Sequence, residues 1–256
     1  MFIDTHTHLY SESFDEDRDI MIARAQKLHI TDFVLPAIDS TYTAKMWDLK
    51  ERYPESMHVM VGLHPTHVKP ESLADELRHV ESELALRKHI AIGEIGVDLY
   101  WDKSTKEIQK EAFAQQMQWA KQYDLPIVIH CRDAFNEVFE VLEKEKNDRL
   151  RGIFHCFTGT KEDALRAIDF NLMLGIGGVV TFKNGKIDTF LNEIDIKHIV
   201  LETDAPYLAP TPHRGKRNES SYLVEVADKL SKIYNISIAE VGEITTNNAK
   251  KIFNLD

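Results

Sequence analysis

Cysteine is scarce: Cys131 and Cys156 are the only two in 256 residues, too few for a disulfide framework. No apolar run approaches membrane-spanning length, which excludes a transmembrane helix on hydropathy grounds. The strand-like start at Phe2 leaves no room for a leader, so a cytoplasmic location is expected. Positive charge is also short. Lys and Arg number 31 against 42 Asp and Glu, and the net charge of -11 argues against a general polyanion-binding surface. Any nucleic-acid contact must therefore be local. No low-complexity tract, Pro/Gly/Ser linker or internal repeat divides the chain. What remains is an ordinary globular composition, 43% hydrophobic and 29% charged, on a length that suits one barrel-sized domain. A single domain over 1–256, monomeric, is the expectation.

Short β-branched and apolar runs alternate with longer stretches of helical period, the pattern of repeated β-α units around a parallel sheet. Eight strands are expected: 2–6, 32–37, 58–62, 90–94, 127–130, 152–155, 172–177 and 199–202. Helices fall between them at 16–28, 44–52, 72–87, 106–123, 134–146, 161–169 and, shortest, 187–192. Three extra helices follow the last strand, at 220–234, 238–244 and 245–253. Eight such units imply a closed (β/α)8 TIM barrel, whose active site is built from the C-terminal strand ends and the loops after them.

Metal-type side chains sit at those ends. Asp4-Thr5-His6-Thr7-His8 places two imidazoles at i and i+2, on one side of an extended chain, with Asp4 as a candidate partner to orient them. Glu94 ends strand four, His130 strand five and His155 strand six, and Asp204 follows strand eight. Singly, each has a bland reading as a satisfied core or surface group; together they converge on one mouth. His64 in Gly62-Leu63-His64-Pro65 either faces that mouth or is simply an extended residue before proline. Cys131 and Cys156 each follow a histidine directly, and on a strand each points away from it as a packing thiol.

The motifs Asp4-Thr5-His6-Thr7-His8, Gly62-Leu63-His64-Pro65, Gly93-Glu94-Ile95-Gly96-Val97-Asp98, His130-Cys131-Arg132, Phe154-His155-Cys156-Phe157 and Glu202-Thr203-Asp204-Ala205-Pro206-Tyr207-Leu208 resemble those of TatD-type metal-dependent deoxyribonucleases. The likeness runs from end to end and includes the block Pro212-His213-Arg214-Gly215-Lys216-Arg217-Asn218-Glu219. Ser220 departs from the proline common at that point in the family. The resemblance implies His6, His8, Glu94, His130, His155 and Asp204 as metal ligands in a metallo-dependent hydrolase barrel acting on nucleic-acid ends, single-stranded DNA and possibly RNA, with 3′ polarity.

Strand eight lies beside strand one in a closed barrel, so His6, His8 and Asp204 are expected to form one cluster and His130 with His155 another, bridged by Glu94. Two divalent ions, Mg, Mn or Zn, about 3.5 to 4 Å apart would suit in-line displacement at phosphorus. Asp204 is the candidate general base, and Glu202, two residues earlier, the carboxylate that orients a ligand histidine. His64, Asp98, Arg132, Tyr207 and Arg214 are candidate substrate contacts. Arg214, Lys216 and Arg217 form the basic cluster expected beside the mouth, with a solvated charge run as the alternative. Tyr100, Trp101 and Phe157 are candidate base-stacking groups. Gly175, Gly177 and Gly178 either approach a phosphate or relieve crowding. Other readings of the same barrel are an amidohydrolase or lactonase, a D-aminoacyl-tRNA esterase, and a non-catalytic metal-binding module.

Overall fold

The computed structural model describes residues 1–255; residue 256, the end of the expected domain, lies outside the described residues. Eight parallel strands run in chain order: β1 Phe2–Asp4, β2 Ile30–Leu35, β3 Met57–Val59, β4 Ile92–Asp98, β5 Ile127–Arg132, β6 Gly152–Phe154, β7 Leu172–Ile176 and β8 Ile199–Leu201. Hydrogen bonding is continuous within β1–β3 and within β4–β8. Two seams close the ring. A parallel bridge joins Thr7 to Ala205 and another joins Val61 to Ile92. Thr5 N–H also donates to Leu201 O at 3.0 Å and Gly93 N–H to Val61 O at 2.8 Å. The fold is therefore the expected α/β (β/α)8 barrel, which leaves no open sheet edge.

Helices α1 Arg18–Lys27, α2 Thr43–Arg52, α3 Leu73–Leu86, α4 Lys106–Tyr123, α5 Phe135–Glu145, α6 Lys161–Asp169, α7 Leu223–Tyr234 and α8 Ile238–Phe253 surround the strands. The apolar side chains divide between two layers. Phe33, Ile95, Ile129, Phe154 and Leu174 pack outward against the helices. Inside the barrel, Ile3, Val34, Met60, Ala91, Val128, Ile153, Met173 and Val200 contribute one residue per strand position. Ala249, Ile252 and Phe253 of α8 join this inner cluster and seal the barrel floor.

Three expected elements differ. Strand four runs on to Asp98 rather than stopping at Glu94. The short helix expected at 187–192 is two separate 3-10 turns, Ile187–Thr189 and Leu191–Glu193. The two terminal helices are one. Thr245 and Thr246 are poor helix formers, but both hydroxyls are satisfied, the first donating within α8 to Val241 O at 2.8 Å and the second across to Met1 O at 3.0 Å. The helix starts on a capping box in which Ser237 Oγ accepts from Glu240 N–H at 3.2 Å and Glu240 returns a bond to Ser237 N–H at 2.9 Å.

Candidate metal centre

The extended chain after β1 is locked to the chain after β8. His8 N–H donates to Ala205 O at 2.8 Å and Asp204 N–H to His6 O at 2.9 Å. Asp4 accepts from Thr203 N–H and Thr203 Oγ1 at 2.9 and 2.6 Å. That corrects the expectation that Asp4 orients its neighbouring histidines: its carboxylate staples the barrel seam instead. Burial pushes it up to about 7, against the hydrogen bonds from Thr203. Asp204 follows this staple with φ at 56°, a left-handed conformation that non-glycine residues adopt mostly where function or tight packing demands it.

Glu94 reaches the interior by a different device. The β4–β5 register pairs Gly93 with Val128 and Ile95 with Ile129, so Glu94 is the residue left over at a bulge. A bulge re-aims its side chain. The carboxylate then lies among four imidazoles: Oε2 is 3.1 Å from His6 Nε2, and Oε1 is 3.2 Å from His64 Nε2, 2.8 Å from His130 Nδ1 and 3.6 Å from His155 Nε2. Asp204 Oδ1 stands 3.3 Å from His8 Nε2 and 3.9 Å from His6 Nε2.

In His8, His130 and His64 the opposite ring nitrogen has a hydrogen-bond partner of its own. Tyr10 Oη donates to Pro36 O at 2.5 Å, so it accepts from His8 Nδ1–H at 2.8 Å and leaves the Nε2 lone pair facing Asp204. Asp98 Oδ2, 2.8 Å from His130 Nε2, keeps a proton there and leaves Nδ1 facing Glu94. Glu202 Oε1 lies 3.0 Å from His155 Nδ1 and is itself held by Cys156 N–H at 2.7 Å. His64 is the exception. Its Nδ1 accepts the Thr66 backbone N–H at 3.1 Å, which puts the proton on Nε2 and makes that atom a donor toward Glu94.

The electrostatics follow from this arrangement. Burial opposes charge on Glu94, but His64, His6, His155 and His130 outweigh it and hold the carboxyl well below its ordinary range. Asp204 is depressed likewise, with His8, His155 and His6 overcoming burial. Burial also opposes charge on His155, yet Glu202 and Glu94 raise it to about 10. At His130, Asp98 and Glu94 overcome the same penalty and raise it. His64 goes the other way, with burial lowering it to about 4.

Atoms able to ligate a cation lie within 4.8 Å of one another in His6, His8 and Asp204; in His64, Glu94 and His130; and in His155, Cys156 and Asp204. His6 Nδ1 is buried without a hydrogen-bond partner among the described residues. Nitrogen and carboxylate donors in this density fit Zn, Mn or Mg-like ions. The rings also pack on one another across the mouth. The His155 ring stacks on His6 at 3.5 Å but is 6.4 Å from His130, whose edge-on neighbour is His64 at 4.5 Å. Glu94 Oε1 nevertheless faces His130, His155 and His64 while Oε2 faces His6, so His64 joins the pair expected on the far side of the carboxylate. Gly175 explains itself at this point: a Cβ there would land on Glu202 Oε2, so that glycine relieves crowding.

A cavity of about 540 Å³ opens over the cluster, lined among others by His64, Trp101, Arg132, Tyr207 and both cysteines. Cys156 therefore faces the mouth, turning there through a φ of 43°, whereas Cys131 packs against the outer core. Arg132 lies 3.6 Å over the Tyr100 ring, while Trp101 and Tyr207 are 71% and 54% exposed. The basic cluster does not reach this cavity. Arg217 makes a two-pronged pair with Asp17 at 2.6 and 2.8 Å, and Arg214 donates to Ala209 O at 3.0 Å while stacking on Phe182 at 3.6 Å. Asp98, expected to touch substrate, is buried: one oxygen holds His130 and the other caps Tyr100 and Trp101 N–H at 3.0 and 3.2 Å. Tyr10, Thr66 and Asn218 escaped sequence reasoning. Asn218, fully buried, bonds Thr203 O and Tyr207 O at 2.7 and 2.6 Å and pins the loop after β8; only its place in the Pro212-to-Glu219 block signalled it.

A (β/α)8 barrel that gathers five imidazoles and two carboxylates at its C-terminal mouth defines the class of metal-dependent hydrolases. The family model "TatD related DNase" matches residues 3–254, and the chain belongs to that family. It is 38% identical to the Bacillus subtilis metal-dependent hydrolase YabD, with 100% of both chains covered. It is 28% identical to the Pectobacterium carotovorum 3′-5′ ssDNA/RNA exonuclease TatD, over 98% of this chain and 99% of that one. The crystal structure of YjjV, a TatD homologue from Escherichia coli, superposes with a TM-score of 0.92 at 27% identity, covering 100% of this chain and 98% of that one. No helix among the described residues is long and apolar enough to cross a membrane.

Proposed function

We propose that the chain hydrolyses phosphodiester bonds at single-stranded nucleic-acid ends. The observation that carries this reading is the sorting of the imidazoles: Tyr10 and Asp98 hold the far nitrogens of His8 and His130, so that the other nitrogen of each turns to Asp204 or Glu94, whereas Thr66 N–H at Nδ1 makes His64 Nε2 a donor. His6, His8, Glu94, His130, His155 and Asp204 would hold two divalent ions, Mg, Mn or Zn, which supply Lewis-acid charge at the phosphate and lower the pKa of water. Asp204 takes the proton of the attacking water. His64 Nε2–H donates to a phosphate oxygen, and the Arg132 guanidinium neutralises another. Trp101 and Tyr207 are exposed at the rim, where successive bases stack. The name of the Pectobacterium relative supports the substrate class.

Oligonucleotides labelled at either end, offered as linear single strands, blunt duplexes and closed single-stranded circles, test the reading. The linear strand is expected to shorten from its 3′ end while the circle resists. Equal cleavage of the circle would refute dependence on an end. The sorting of the imidazoles has its own test. Tyr10→Phe frees the His8 ring and is expected to weaken metal binding by roughly 10–100-fold. His64→Ala is expected to leave metal content at the wild-type level and raise KM; loss of an ion from that variant would make His64 a ligand.

A further inference from the structure

The opposite end of the barrel carries a second concavity, of about 950 Å³. It lies against the N-terminal ends of β3 to β6 and the end of α8, and its charge is opposite to that of the chain. Lys50, Arg87, Lys88, Arg151 and Lys251 line it against a single carboxylate, Asp124, although the protein as a whole carries -11. Arg151 is held by Asp124 at 3.0 Å, and Arg87 lies 3.6 Å from Glu83 and 4.8 Å over the Trp47 ring. Lys50 donates to Pro54 O. Lys88 and Lys251, both exposed, make no ion pair with any described residue. Like charges left unpaired in one hollow raise its affinity for an anion.

Two further features say what kind of anion. Leu125, Pro126, Phe253 and Leu255 give the hollow an apolar wall beside its cationic one. Trp47 Nε1–H, on the same lining, is buried without an acceptor. A buried donor left unpaired costs free energy that a ligand oxygen or ring nitrogen would recover. The volume lies in the range of small-molecule sites. The barrel floor and α8 separate the hollow from the catalytic mouth, so an occupant cannot be the substrate in transit.

We infer that this hollow binds a phosphomonoester carried on a flat, largely apolar body, of the nucleoside monophosphate kind. Lys88 and Lys251 take the phosphate, Trp47 Nε1–H meets an acceptor on the body, and the apolar wall receives its face. Because Phe253 belongs both to the hollow and to the floor cluster, occupancy ties down the end of α8 and stabilises the native barrel by mass action.

The test uses the full chain with excess chelator, which prevents a nucleotide from binding through ions at the mouth. Calorimetric titration and thermal unfolding are measured with AMP, adenosine and inorganic phosphate, on wild type and on the double variant Lys88→Glu, Lys251→Glu. One AMP per chain and a raised Tm are expected, with adenosine and phosphate each weaker by about tenfold or more. The double variant is expected to lose AMP affinity by about tenfold or more while cleaving oligonucleotides, in a separate assay with divalent metal and no chelator, at the wild-type rate. No heat with AMP up to about 10 mM, equal AMP binding by the double variant, or phosphate binding as tightly as AMP would each overturn the assignment.

Discussion

Replacing Asp204 by asparagine is expected to cut turnover by about 10²-fold or more, the usual scale for losing a general base, while the barrel stays folded. The amide keeps the shape and one carbonyl oxygen within reach of His8 Nε2, which the carboxylate now approaches at 3.3 Å. It cannot take a proton. The backbone that carries residue 204 is fixed independently of the side chain, by its N–H to His6 O at 2.9 Å and by the Asp4–Thr203 staple one residue earlier. Its left-handed φ is tolerated by asparagine at least as well as by aspartate. Steady-state cleavage of a labelled single strand under saturating metal, with circular dichroism and metal analysis on the same sample, separates chemistry from folding. Turnover near the wild-type value with normal metal content would remove Asp204 from the proton-transfer role.

Glu94→Gln is expected to fail differently: metal content falls, and turnover drops by more than about 10²-fold because the ions themselves are lost. One carboxylate stands between His6, His64, His130 and His155 at 3.1, 3.2, 2.8 and 3.6 Å, so neutralising it withdraws the only negative charge they share. A ligand carboxylate contributes charge as well as a lone pair, and an amide supplies only the second. Elemental analysis after dialysis reads the outcome directly. If the variant retains both ions, Glu94 does not bridge them. The contrast with Asp204→Asn, which keeps its metal, distinguishes loss of the centre from loss of the base.

The barrel was legible because strand and helix periods alternate cleanly, and because metal-type residues recur at strand C-termini. His6, His8, Glu94, His130, His155 and Asp204 are all brought to one mouth by that rule. What strand order could not supply was the third dimension inside the ring. The bulge at Glu94 turns its carboxylate into the interior, and the His6–His155 stack crosses the barrel rather than following neighbouring strands. Tyr10 and Thr66 carry no motif, since any hydroxyl or backbone N–H can settle a tautomer and only geometry shows which one does. The basic loop misled for a related reason. Three cations in four residues look like a phosphate grip until Asp17, some 200 residues away in sequence, is seen to hold Arg217.

The seam between β1 and β8 also sets a timetable for synthesis. Asp4 meets Thr203 across 199 residues of chain. At roughly 5–20 residues per second, the ribosome delivers the second half of this contact some 10–40 s after the first. Throughout that interval His6 and His8 follow a strand paired on its β2 side alone, without Asp204, and the floor helix that closes the other end has yet to be made. The nascent chain therefore cannot assemble a working hydrolase beside the messenger and tRNA that are producing it; competence arrives only when nearly the whole polypeptide has left the tunnel.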